Sequence, residues 1–285
     1  MSKVIYTSEP EGFRWRQILP WLILRDLLRH RTLITTTTTQ NFKAAYQASH
    51  LGLAWQILLP IIMLSIFYFV FGRIFGGKFL NNGSESPVDY ALALFVGLGF
   101  FNFIAQNIGS ATTLIPSNAT YVKTLSFPLE TLSVISVLNA LINLLIGLSL
   151  TLLVFVLAKG YLHPSAVVLP FYVLCIFLIA LGISWGLSAL AVFIHDVNAV
   201  TSPLTLILMF MCPIFYPASM VPQSIRWVID INPLAVIIED VRACMLYGVW
   251  PSAVSVAAIF AVSVVAAVIG YFFFIRSKSA FADVM

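Results

Sequence analysis

Apolar runs recur along nearly the whole chain, separated by short clusters of Gly, Pro and charged residues. Each run is about as long as the roughly 20 residues that carry an α-helix across some 30 Å of hydrocarbon. Setting the runs against their breaks places spans at residues 52–75, 90–114, 132–158, 166–194, 198–216 and 252–275. This predicts an all-α membrane protein with six transmembrane helices. The first run is too long and too far from the amino terminus for a signal peptide. Residues 1–41 also lack a small-residue cleavage pattern, so the whole chain is expected to be retained.

Three further segments break the simple alternation. Residues 18–33 read as a helix with Trp21, Leu24, Leu27 and Leu28 on one side and Arg25, Asp26, Arg29 and His30 on the other. That is the pattern of a helix lying in the membrane surface, and a short soluble helix packed on another subunit is the alternative. The threonine run 35–39 has β-branched residues without apolar periodicity and is expected to be a short extended connector. Residues 217–250 form a long, Pro-rich loop holding two moderately apolar pieces, 224–231 and 234–247, too short or too charged to span. Bounded by Asn232-Pro233, they suggest a helical hairpin dipping into the membrane from the outer face, which needs protein or water to cover its broken backbone. The expected organisation is a cytoplasmic amino-terminal region (1–51) with its interfacial amphipathic helix, a membrane domain (52–275) and a short cytoplasmic tail (276–285).

Composition agrees with the pattern. Hydrophobic residues make up 60% of the 285 and charged residues 9%, against about 45–50% and about 25% in soluble domains. The net charge of +4 sits beside the spans, so it argues for orientation and not for a nucleic-acid partner. Lys3, Arg14, Arg16, Arg25, Arg29, Arg31, Lys43, Lys123, Arg276 and Lys278 share one side of a six-span topology. The opposite side carries Arg73, Lys78, Lys159, Arg226 and Arg242, partly offset by Glu85, Asp89, Asp230, Glu239 and Asp240. The positive-inside rule therefore puts both termini in the cytoplasm.

Catalytic and nucleotide chemistry is hard to find. Gly72-x4-Gly77-Lys78 reproduces most of a P-loop, but Phe79 stands where Ser or Thr should hold Mg²⁺, and the match falls at the outer end of the first span. Ion-coupled transport needs ionisable groups inside the spans. Arg73, Lys159 and Asp196 lie at span ends, and the centres hold the neutral amides Asn102, Gln106, Asn139 and Asn143, expected to hydrogen-bond between helices. His30, His50, His163 and His195 have no nucleophile or carboxylate constellation around them. Cys175, Cys212 and Cys244 show no CxxC or metal spacing and are expected to pack as apolar residues. The sequons at Asn82 and Asn118 are uninformative. On the first span Phe67, Phe71 and Phe75, with Leu64 and Tyr68, form a stripe at helical spacing. It either packs or faces lipid, or it walls a conduit in which aromatic faces stack on sugar rings.

The order of features resembles the membrane subunit of the ABC-2 type exporters, in particular the polysaccharide permeases. Three motifs carry the resemblance. Tyr46-Gln47-Ala48-Ser49-His50-Leu51-Gly52-Leu53-Ala54-Trp55 leads into Leu59-Pro60, with Lys43 where the family keeps a basic residue nearer the Tyr. Ser117-Asn118-Ala119, Lys123 and Phe127-Pro128-Leu129-Glu130 are similar to the family's cytoplasmic coupling segment. Pro213-Ile214-Phe215-Tyr216-Pro217, Asn232-Pro233-Leu234 and Glu239-x-x-Arg242 are similar to its outer re-entrant gate. The resemblance implies a type V exporter-like permease in the bacterial inner membrane. A second copy of the chain would complete a central conduit, and cytoplasmic ATPase subunits would hold ATP and Mg²⁺, so this chain binds no cofactor and hydrolyses nothing itself. The implied cargo is a lipid-linked polysaccharide: O-antigen first, then capsule or teichoic acid. Under the same resemblance Asn118, Tyr121, Lys123, Phe127, Pro128 and Glu130 (within 116–130) couple to the ATPase. Pro213, Tyr216, Pro217, Asn232, Pro233, Glu239 and Arg242 form the gate, with Glu239 and Arg242 pairing locally. Drug or small-molecule export is the competing reading within the class. A membrane glycosyl- or acyltransferase is the competitor outside it.

Overall fold

The computed structural model describes residues 20–47, 51–76, 79, 86–123, 127–194 and 196–284. Among them the regular structure is helical throughout. Five helices are long and apolar enough to cross a bilayer: the stretch Trp55–Ile74, Pro87–Leu114, Glu130–Lys159, Pro164–Phe193 and Ala253–Lys278. The protein is thus a multi-pass membrane protein.

The amino-terminal region departs from expectation twice. The amphipathic helix is divided at His30 into α1 (Pro20–Arg29) and α2 (Arg31–Gln47). On α1, Leu24 and Leu28 are exposed beside Arg25 and Arg29, whereas Ile23 is buried. The side chain of Trp21 lies outside the described residues. The threonine run is not extended but forms the middle of α2. Its hydroxyls turn back on the helix: Thr35 donates to the Arg31 carbonyl at 2.9 Å and Thr39 to the Thr35 carbonyl at 2.8 Å. Ile34 and Thr38 are buried, and α2 packs on α6. The back-bonds satisfy the hydroxyls within the helix, and tertiary packing outweighs a weak local preference.

The first span consists of α3 (Trp55–Phe67), which contains Pro60, and a π-helical continuation over Tyr68–Ile74. Then comes α4 (Pro87–Leu114), opened by a capping box in which Ser86 and Asp89 exchange side-chain and backbone bonds, with Pro87 at the first helical position. The short α5 (Ala119–Val122) precedes α6 (Glu130–Lys159), which ends at the left-handed Gly160. A 2.8 Å ion pair between Asp89 and Lys159 ties the start of α4 to the end of α6, as antiparallel neighbours require. Helix α7 (Leu169–Phe193) packs along α11 (Ala253–Lys278). There Gly182 and Gly270 let the two backbones touch, and a Cβ on either would strike the other helix.

Helix α8 (Val197–Met211) corrects the expected fifth span, because the helix does not run on to residue 216. Cys212 precedes Pro213 and is extended, as the proline ring requires. At 15 residues, α8 is about 22 Å long, short of the hydrocarbon thickness. The chain then passes through α9 (Trp227–Ile231) and α10 (Pro233–Leu246). Helix α10 is largely buried and packs on α4 and α7; α12 (Phe281–Val284) closes the tail. By contrast α3 buries only Gln56 and Leu64, and α8 only Thr201. These two are the least buried of the apolar helices.

Candidate transport site and its two ends

At one end of α4 the chain is broken, and its polar backbone must be satisfied without helix geometry. Arg242 does this. Buried to 4% exposure, its guanidinium donates to the carbonyls of Pro213 and Ile214, just past the end of α8, and to Ala93 of α4 at 2.7 Å. The Phe79 ring lies 4.4 Å away. The expected local pair with Glu239 is therefore not what holds this charge. Glu239 is half-buried and lies within electrostatic reach of Arg242 and Arg226. Asn232 caps α10, accepting from the Leu234 N–H at 3.1 Å with Pro233 at the first helical position, while its amide reaches Cys212 Sγ at 3.4 Å. The Tyr216 hydroxyl donates to the Phe210 carbonyl at 2.8 Å, and the extended Pro217 leads into the turn Ala218–Met220.

Asp240, in sequence only an offsetting charge, is a tie between helices. Its carboxylate accepts from the Tyr172 hydroxyl and from Ser255 Oγ, both at 2.7 Å, and so ties α10 to α7 and α11. Its partners are 68 and 15 residues away, so no local pattern announces them. An acid inside an apolar run next to Glu239 was the available signal.

The other end of α4 carries the segment read as coupling. Asn118 Nδ2 donates to the Leu114 carbonyl at 2.7 Å and closes the helix end. Tyr121 and Phe127 stack at 4.4 Å, with Tyr121 and Lys123 exposed. The Pro128 carbonyl accepts from Thr131 N and Oγ1, at 2.9 and 2.7 Å. Glu130 is held from two sides. Lys278, at the end of α11, pairs with its carboxylate at 2.6 Å, and Trp185 Nε1 of α7 donates to its carbonyl at 3.0 Å.

Between the ends lies the aromatic stripe. Phe67 meets Phe95 of α4 at 6.4 Å and Phe71 meets Phe215 at 6.2 Å, so these two rings are half-buried within the protein. Phe75 is 72% exposed. The Tyr68 hydroxyl accepts from Arg73 Nε at 2.9 Å. The mid-span amides behave differently from expectation. Among the described residues Asn102, Gln106, Asn139 and Asn143 make no interhelical hydrogen bond, and Asn102, Gln106 and Asn143 instead line one open recess. The three cysteines are free and buried. Gly72 lies inside the π-helical segment against Pro87, not in a phosphate loop. Gly77, Lys78, the sequon at Asn82 and His195 lie outside the described residues.

The arrangement is that of a transport component: long apolar helices, a broken and internally satisfied backbone at one end and a polar connector at the other. Residues 32–246 match the ABC-2 type transporter family, and the chain belongs to it. Two curated relatives are O-antigen export system permease proteins RfbA of Klebsiella pneumoniae. One is 25% identical over 256 residues and the other 26% over 257, each covering 89% of this chain and 95% of the relative. A third, the O-antigen export system permease protein RfbA of Myxococcus xanthus, is 26% identical over 246 residues, 85% of this chain and 91% of the relative. The chain is thus an ABC-2 permease homologous to O-antigen export permeases.

Proposed function

We propose that this chain is the permease subunit that carries a lipid-linked polysaccharide, O-antigen in the first place and capsular chains next, across the bacterial inner membrane. A separate ATP-binding subunit on the cytoplasmic side supplies the energy, holding ATP and Mg²⁺ itself, and a second copy of this chain completes the conduit. Both termini face the cytoplasm. The short α8, continued by the extended residues after it, makes the remaining crossing, and α9 with α10 form the outer re-entrant gate.

The observation that carries this reading is that the connector and the gate meet opposite ends of one rod. Helix α4 spans 28 residues, about 42 Å. One end continues into Pro116–Asn118 and the other holds the Arg242 cluster through Ala93. A push on the connector is delivered to the gate without a flexible joint between them. The aromatic stripe supports a sliding path, since flat apolar rings make many weak contacts with sugar faces.

Deleting the chain from its host tests this. Loss of surface polysaccharide with a rise in the intracellular lipid-linked pool, both reversed by a plasmid copy, is the expected result. Unchanged surface polysaccharide with altered drug sensitivity would replace this reading by small-molecule export.

A further inference from the structure

A cavity of about 300 Å³ opens between α3, α4 and α6. Asn102 and Gln106 line it from α4, one helical turn apart and so on one face, and Asn143 lines it from α6. All three are exposed, and none has a hydrogen-bond partner within the described residues. Asn102 lies about 22 Å along α4 from Pro87 and about 18 Å from Leu114, and Asn143 lies near the middle of α6. Three unpaired carboxamides therefore share one recess at mid-membrane depth, where an unbonded polar group facing lipid is costly.

We propose that Asn102, Gln106 and Asn143 form a hydroxyl-reading cradle for a neutral carbohydrate chain, a deepening that rests on the transport reading above. Each carboxamide offers both donors and an acceptor, which matches a hydroxyl that gives and takes a hydrogen bond. No charged side chain lines the recess, whereas a phosphate group calls for Arg or Lys. Phe67 and Phe95 supply flat apolar walls beside the amides, the second half of what a sugar ring needs. Neutral bonds also release each hydroxyl readily as a long chain advances, since each exchanges for a bond to water at small net cost.

The test uses the full chain with its ATPase partner in the deletion host. Unmutated chain must first restore surface polysaccharide; if it does not, the transport reading and this one fall together. With that in place, Asn102→Cys is treated with a small hydrophilic thiol reagent, the native cysteines being buried and silent. Gln106→Cys, on the same face, replaces it if Asn102→Cys does not accumulate. The expected result is labelling when glycan synthesis is off and several-fold slower labelling when the lipid-linked chain is being made. No labelling in either state, labelling indifferent to the glycan, or a disulfide between copies would each overturn the cradle while leaving the transport reading intact. In parallel, Asn102→Leu with Asn143→Leu should slow export by about fivefold, the loss of one or two neutral hydrogen bonds. Export at the unmutated rate would likewise overturn it.

Discussion

Arg242 occupies the space that a side chain at Gly97 would take. A Cβ on residue 97 would collide with the guanidinium, and that guanidinium is what satisfies the carbonyls of Pro213, Ile214 and Ala93. The glycine is therefore required by a residue 145 positions further on in the chain, and the break after α8 is held through that contact.

Gly97→Ala should displace Arg242 and cost about 3–5 kcal/mol, the range for uncoupling a buried charge from its partners. Gly109→Ala lies in the same helix with nothing within 4 Å of the added Cβ and should be neutral or slightly stabilising. Thermal unfolding in detergent measures both. Equal melting temperatures would mean that the cluster around Arg242 adapts freely.

Glu130 and Lys123 sit seven residues apart but should respond differently. Lys123 is exposed, so Lys123→Ala should leave stability within about 0.5 kcal/mol and lower the ATPase stimulation of the complex. Glu130 is clamped between Lys278 and Trp185, so Glu130→Ala should lower both. The exchanged pair Glu130→Lys with Lys278→Glu should recover about 0.5–1 kcal/mol relative to the single reversals. Additive single and double effects would show that the pair contributes nothing.

The aromatic stripe divides by burial. Phe71→Leu removes a ring that rests on Phe215 and should cost about 1 kcal/mol of stability. Phe75 is largely exposed, so Phe75→Leu should leave the melting temperature unchanged and lower the export of long chains. If Phe75→Leu exports normally, that ring faces lipid.

Orientation is checked by cysteine accessibility in whole cells. Ser2→Cys, Lys123→Cys and Ser279→Cys should react only after the inner membrane is permeabilised, and Ser84→Cys and Ser224→Cys without it. Reaction of Lys123→Cys from outside would reverse the proposed topology.

Features that depend on length and local polarity are legible along the chain. Apolar runs of spanning length specify helices because the bilayer leaves no other way to satisfy the backbone, and Asn232-Pro233 marks the break before α10 through short-range capping. The order of the three motifs was enough to point to the ABC-2 family. Which polar groups meet depends on how the helices pack. The threonines of α2 are helical within a helix that buries Ile34 and Thr38 and packs on α6. Arg242 chose distant carbonyls over Glu239, and Asp240, Lys159 and Lys278 found partners 15 to 148 residues away. The mid-span amides found no partner within the described chain. Hydropathy is a sum over one helix and can be read in order. A buried hydrogen bond depends on two helices meeting at one depth and rotation, and no local pattern encodes that.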